Sequence, residues 1–181
     1  MPGVVIDVDH AGGLHSPTGP IDQAMSGVHV HLVEVRFGDC DPAGIIYFPR
    51  FFALFHDAME TWFPARLGLR YAELVVGRKI GFPAVHTEAD FQAPCALGDA
   101  IAVELRVAAL GRSRIELRYI VRGAAGDERV RGATTCVVMD LDPASPSYRR
   151  ALAIPDDLRQ RIERFMAADD EAVPEDSQDA T

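Results

Sequence analysis

Apolar and polar positions alternate along much of this chain. Val33, Val35 and Phe37 alternate with Glu34 and Arg36, which predicts a first strand over 28–37. Between 48 and 63 the period changes. Phe48, Phe51, Phe52, Leu54, Phe55, Ala58, Met59, Trp62 and Phe63 are too many for one narrow stripe. They predict a helix buried on most sides, with Arg50, His56, Asp57 and Glu60 as the exceptions. Pro49 suits its first turn, where no intrahelical donor is lost. Four more strands are predicted. Val85, Thr87, Ala89 and Phe91 share one face, as do Ile101, Val103, Leu105 and Val107, and then Ile115, Leu117, Tyr119 and Val121; a long run from Val130 to Leu141 follows. Turn residues at 97–99, 111–113 and 123–127 separate them. A last short helix from Pro155 to Phe165 carries Leu158, Ile162 and Phe165 on one side. The spacing excludes regular βαβ units. One greasy helix between a strand and a four-strand meander predicts an α+β fold, its sheet wrapped around the helix.

Charge changes this picture only at the ends. Residues 1–27 hold three acidic residues and residues 166–181 hold six, with no Lys or Arg in either. Those nine account for the net charge of −9, so 28–165 is neutral. A nucleic-acid partner, which would want a basic face, loses weight. Residues 1–27, rich in Gly, Pro and Asp, are expected to be a flexible extension, 28–166 the domain, and 167–181 an acidic disordered tail. No stretch approaches the ~20 apolar residues of a membrane helix, and no leader of the secretory kind is read at the N-terminus. Cys40, Cys95 and Cys136 are few, odd in number and far apart, which argues against a zinc site and fits a reducing cytoplasm.

The chemistry-bearing stretch is Asp39-Cys40-Asp41-Pro42-Ala43-Gly44, just before the greasy helix. A helix N-terminus offers unpaired N–H groups and a partial positive charge. A carbonyl oxygen placed there would be polarised as in an oxyanion hole, and a carboxylate beside it could attack or take a proton from water. Two plainer readings stay open from the pattern alone: both aspartates cap turns, or the pair holds Mg²⁺. Cys40 has no evident His partner and is read as packing, and Phe37, Tyr47 and the helix phenylalanines as core first.

The run from Phe37 to Phe51, FGDCDPAGIIYFPRF, resembles the active-site signature of the 4-hydroxybenzoyl-CoA thioesterase family, with Ile46 standing where Val is usual. The resemblance continues through Phe55-His56-Asp57-Ala58 and more loosely to Leu141. It implies a hotdog fold, with Asp41 as the catalytic carboxylate, Asp39 as its structural neighbour and the backbone N–H of Phe48 on the thioester carbonyl. It also implies a homodimer or homotetramer with active sites at the subunit interface, and CoA as part of the substrate rather than a retained cofactor; no metal is expected.

Gly44, Tyr47, His56, Arg112 and Ser113 are the further substrate-binding candidates. His56 stands two turns beyond Phe48, within reach of an acyl group, although a lone His is more often simply satisfied by structural hydrogen bonds. Arg112 and Ser113 sit in a turn that meets CoA phosphates in similar proteins; a solvated hairpin tip is the plain alternative. The expected activity is hydrolysis of an aromatic, hydroxybenzoyl-type acyl-CoA. Its rivals are a general short- or medium-chain acyl-CoA thioesterase and a hotdog protein that binds acyl-CoA without turnover.

Overall fold

The structure is a computed structural model that describes residues 27–170. The expectations for residues 1–26 and 171–181 fall outside the described residues. Five strands form one antiparallel sheet in the order β1-β4-β5-β6-β3: β1 His29–Glu34, β3 Ala84–Phe91, β4 Ala100–Leu110, β5 Arg114–Arg122 and β6 Glu128–Val137. The helix α1, Phe48–Trp62, lies across one face of this sheet. Its Phe55 ring stacks on Tyr119 of β5 with centroids 4.4 Å apart. The helix comes so close that a Cβ on Gly132 of β6 would stand 2.4 Å from the Phe55 ring. A sheet curled around one long helix is the hotdog fold.

Strand β5 shows the alternation the sequence predicts, with Ile115, Leu117, Tyr119 and Val121 buried, Arg114, Glu116 and Arg118 exposed, and Ile120 and Arg122 half-buried. Strand β4 is buried on both faces from Ile101 to Leu105, because Glu104 pairs with Arg122 of β5 (2.8 Å) instead of facing water. The helix α1 does not stop at Phe63. Pro64 lacks an N–H and would clash with a carbonyl one turn back, and the chain widens there into a π turn, Phe63–Leu67, closed by Gly68 in the left-handed region.

Five expectations need correction. The first strand ends at Glu34, and Phe37 lies in a 3-10 turn, 84% exposed, not in the core. Tyr47 and Phe48 are likewise more than half exposed. The long run from Val130 to Leu141 breaks after Val137: Met139–Asp140 (β7) leaves the main sheet and pairs with Ile80–Gly81 (β2), a strand too short for periodicity to reveal. Strand β3 is an edge strand, so its alternation is only half used; Phe91 packs on Phe51, while Val85 is 56% exposed beside a bulge. Helix α2, Asp156–Asp170, runs past Phe165 into the stretch read as tail, and Leu158, Ile162 and Phe165 are buried as expected.

Candidate active site

The loop between β1 and α1 is held by backbone bonds to the start of β4. Val35 N–H donates to Asp99 O and Gly98 N–H to Val35 O, both at 2.9 Å. Ile46 N–H donates to Cys95 O and Leu97 N–H to Gly44 O. Gly44 closes the turn at φ +75, a conformation costly for any residue with a Cβ. The loop is thus a fixed frame that carries two carboxylates.

The two carboxylates have different surroundings. Asp39 is enclosed by partners: its Oδ2 accepts from Arg36 N–H (3.0 Å) and its Oδ1 from Arg50 Nε (2.6 Å). Burial would raise its pKa, but these bonds and the two guanidinium charges outweigh it and hold the carboxyl below the usual range. Asp41 accepts one bond, from Ala43 N–H to Oδ1 at 2.8 Å, and its Oδ2 accepts none from a described residue. One aspartate is occupied in fixing the loop on the helix, and the other presents a carboxylate oxygen to solvent. Between them, Cys40 donates weakly to Arg36 O (3.5 Å). Burial and the charges of Asp39 and Asp41 push its thiol up, which suits packing and not nucleophilic attack.

Asp41 shares an open groove of about 560 Å³ with Tyr47, Pro49, Arg50 and Ala53 at the start of α1. Tyr47 is the N-cap residue and its side chain makes no capping bond. The first N–H groups of a helix have no intrahelical acceptor, and that of Phe48 is one of them. A carboxylate and an uncapped helix start therefore flank one groove, which can polarise a carbonyl and deliver a nucleophile or base to it.

His56 does not line this groove. It belongs to a neighbouring apolar cavity of about 480 Å³ whose lining includes Phe52, Met59, Tyr71, Phe82 and Thr87, and its ring meets Tyr71 edge-on at 5.9 Å. Phe48, Phe52 and His56 follow one another at four-residue spacing, so they share one stripe of α1. The cavity begins about 6 Å along the helix from Phe48, at a rise of about 1.5 Å per residue. Arg112 and Ser113 are not brought to Asp41 within one chain. They cap the β4–β5 hairpin, where Arg112 O accepts from Ile154 N–H and Ser113 O from Val138 N–H, both at 2.8 Å. That tip lies beyond the far end of β4 from the Asp41 loop, about 30 Å away at roughly 3.3 Å per strand residue.

Sequence reasoning missed the Arg50–Asp39 pair, whose eleven-residue separation carries no periodic signal, and the polar cavity residues Tyr71, Thr87 and Thr134, which come from separate elements. Among the described residues no group of three His, Cys, Asp or Glu is arranged to hold a metal ion, and no helix is long and apolar enough to cross a membrane.

A 1,4-dihydroxy-2-naphthoyl-CoA hydrolase of Synechococcus elongatus is 38% identical over 86 residues, which are 47% of this chain and 62% of that protein. The chain thus spans about three fifths of that relative's length. Among solved structures, a 1,4-dihydroxy-2-naphthoyl-CoA thioesterase from Synechocystis superposes with TM-score 0.66 at 25% identity, covering 75% of this chain and 95% of that one. A 4-hydroxybenzoyl-CoA thioesterase, crystallised as an aspartate-to-asparagine variant with 4-hydroxybenzoyl-CoA, superposes with TM-score 0.67 at 25% identity, covering 76% and 99%. The family model described as the thioesterase-like superfamily matches residues 35–162, well over half of the sequence, and the chain belongs to that superfamily.

Proposed function

We propose that this chain hydrolyses an aromatic acyl-CoA to the free acid and CoA. The observation that carries the proposal is the pairing of Asp41, with one carboxylate oxygen unengaged by described residues, and the uncapped start of α1 on one groove. The thioester carbonyl oxygen accepts from Phe48 N–H; Tyr47 lines the groove around it, and Gly44, which does not line it, holds the turn that carries Asp41. Negative charge developing on that oxygen is stabilised by the helix start. Asp41 either adds to the carbonyl carbon or takes a proton from the water that adds. Both routes consume one water, break the C–S bond and end with the sulfur protonated as CoA thiol. Label found in the Asp41 carboxylate after single-turnover hydrolysis in ¹⁸O-water identifies the nucleophilic route, with water adding to the aspartyl carbonyl of the anhydride.

The apolar cavity beside Phe52 supports an aromatic acyl group, since a ring attached to a carbonyl at Phe48 extends toward His56. The relatives named above act on hydroxylated aryl-CoA thioesters, one bicyclic and one monocyclic. His56, Tyr71, Thr87 and Thr134 supply the cavity with a few polar groups that a ring hydroxyl can use. A buried polar partner left unpaired costs about 1–3 kcal/mol, which is a preference of roughly 5- to 150-fold. A panel of dihydroxynaphthoyl-, hydroxybenzoyl-, benzoyl- and straight-chain acyl-CoAs tests this. Higher kcat/KM on the hydroxylated aryl-CoAs is expected, and His56→Phe should narrow that preference while sparing kcat on benzoyl-CoA. Fastest turnover of straight-chain thioesters would instead identify a general thioesterase.

We also infer a homodimer or larger homo-oligomer. Phe37, Tyr47, Phe48, Phe91 and Leu97 are exposed on elements around the Asp41 loop and the β3 edge. If Arg112 and Ser113 serve the CoA phosphates, they do so for the Asp41 site of another subunit, because their own lies too far away.

A further inference from the structure

Tyr71 lines two separate concavities, and no other described residue lines both. One is the apolar cavity of about 480 Å³ beside Phe52 and His56. The other is a polar groove of about 520 Å³ lined by His31, Asp57, Glu60, Thr61 and Arg70. Helix α1 contributes to both through neighbouring stripes. Phe52, His56 and Met59 face the apolar cavity at spacings of four and three, and Asp57, Glu60 and Thr61 face the polar groove at spacings of three and four.

The local sequence sets Tyr71 between them. Gly68, at φ +63, closes the π turn after α1, and Leu69 N–H then donates to Phe63 O at 3.2 Å. The chain that follows lays the Tyr71 ring against Phe63, Phe82 and His56, with centroids 5.2, 5.8 and 5.9 Å away. A ring in contact with three others is held by packing, since moving it would uncover apolar area on all of them. Burial pushes the Tyr71 hydroxyl up to about 12, and the Cys136 thiol and the Glu60 carboxylate add to that effect. Cys136 lines the apolar cavity and Glu60 the polar groove, so the side chain senses a group from each side.

An acyl group whose carbonyl lies at Phe48 N–H runs along Phe52 and reaches Tyr71 beside His56, about 12 Å along the helix. We propose that Tyr71 is a specificity-determining residue: its ring is the end wall of the acyl cavity and shuts the acyl group off from the polar groove. This rests on the acyl-CoA reading above and adds which substrates are refused, namely rigid acyl groups that extend past His56.

The test compares phenacyl-CoA with 4-phenylphenacyl-CoA, thioethers that keep the carbonyl and cannot be hydrolysed. Their Kd values are measured by calorimetry on the parent, Tyr71→Phe, Tyr71→Leu and Tyr71→Met, with melting temperatures on the same samples. The parent should bind the single ring at least about tenfold more tightly, the scale on which apolar pockets discriminate size. Tyr71→Phe, which keeps the ring, should preserve that gap. Tyr71→Leu and Tyr71→Met, which trim the ring to different extents, should remove most of it while the Kd for phenacyl-CoA stays close to that of the parent. Equal affinity of the parent for both analogues overturns the proposal, as does failure to bind either, or an unchanged gap in folded Leu and Met variants. Turnover of benzoyl-CoA by the parent is measured alongside. Its absence would count against hydrolysis, while the Kd comparison would still decide the wall.

Discussion

At the scale of single residues, two aspartates two positions apart serve different purposes because of what surrounds them. Asp39 has the Arg36 backbone and the Arg50 side chain, while Asp41 has one backbone donor. The sequence marked both and left capping, catalysis and metal binding open, since the Arg50 contact depends on how the loop lies against the helix. Another residue-scale consequence concerns acid. His29 of β1 is 6% exposed and its Nε2 bonds the Thr61 hydroxyl at 3.0 Å. The same hydroxyl lies 3.3 Å from His31 Nδ1 and 3.0 and 3.1 Å from the Asp57 and Ala58 carbonyls of α1, so the histidine tautomers set which group donates. Burial, then the charges of His31 and Arg66, lowers the His29 pKa from 6.5 to about 4. A lowered folded-state pKa means that the unfolded chain binds the proton first. Stability is therefore full above pH 6.5 and falls as pH drops from 6.5 toward 4, with a slope of about 1.4 kcal/mol per pH unit from this group. Melting curves of the parent and of His29→Gln between pH 7 and pH 4 check this. The parent should lose more stability over that window than the variant; parallel losses would remove His29 as the cause.

At the scale of elements, the packing of α1 on the sheet turns on one glycine. A Cβ at Gly132 would stand 2.4 Å from Phe55 and 3.2 Å from Glu88 O of the neighbouring strand. Phe55 is itself pressed against Tyr119, so it has little room to give. Gly132→Ala should cost about 1–3 kcal/mol through overpacking. Phe55→Leu should recover part of that loss when combined with it, although alone it also destabilises. Additive losses in the double variant, read from denaturant midpoints, would show that the two do not collide. Much of this layer was legible in the sequence. The greasy period of α1 and the clean alternation of β5 each report burial on a regular element. The pairing of β2 with β7 was not legible, because two residues carry no period. The exposure of Phe37, Tyr47 and Phe48 was not legible either, because apolar composition reports burial without saying against what.

At the scale of the whole molecule, the domain ends in an edge strand, β3, whose side chains are almost all exposed. Unpaired strand edges invite pairing unless they are covered. The proposed acyl-CoA site asks for more than one chain supplies, since the Arg112 hairpin lies a strand's length from Asp41. Light scattering should give a mass of at least twice the 19.7 kDa of one chain, and Val85→Lys on the edge should lower both the mass and the activity. A fully active monomer would contradict the shared site. The central claim, that Asp41 carries out thioester hydrolysis from beside the start of α1, rests on a single carboxylate. The most direct test is steady-state hydrolysis of a hydroxylated aryl-CoA by Asp41→Asn, with its melting temperature and substrate affinity measured on the same sample. The expected result is a fall in kcat of at least about 10²–10⁴ with folding and affinity retained, whereas turnover close to that of the parent would contradict the account.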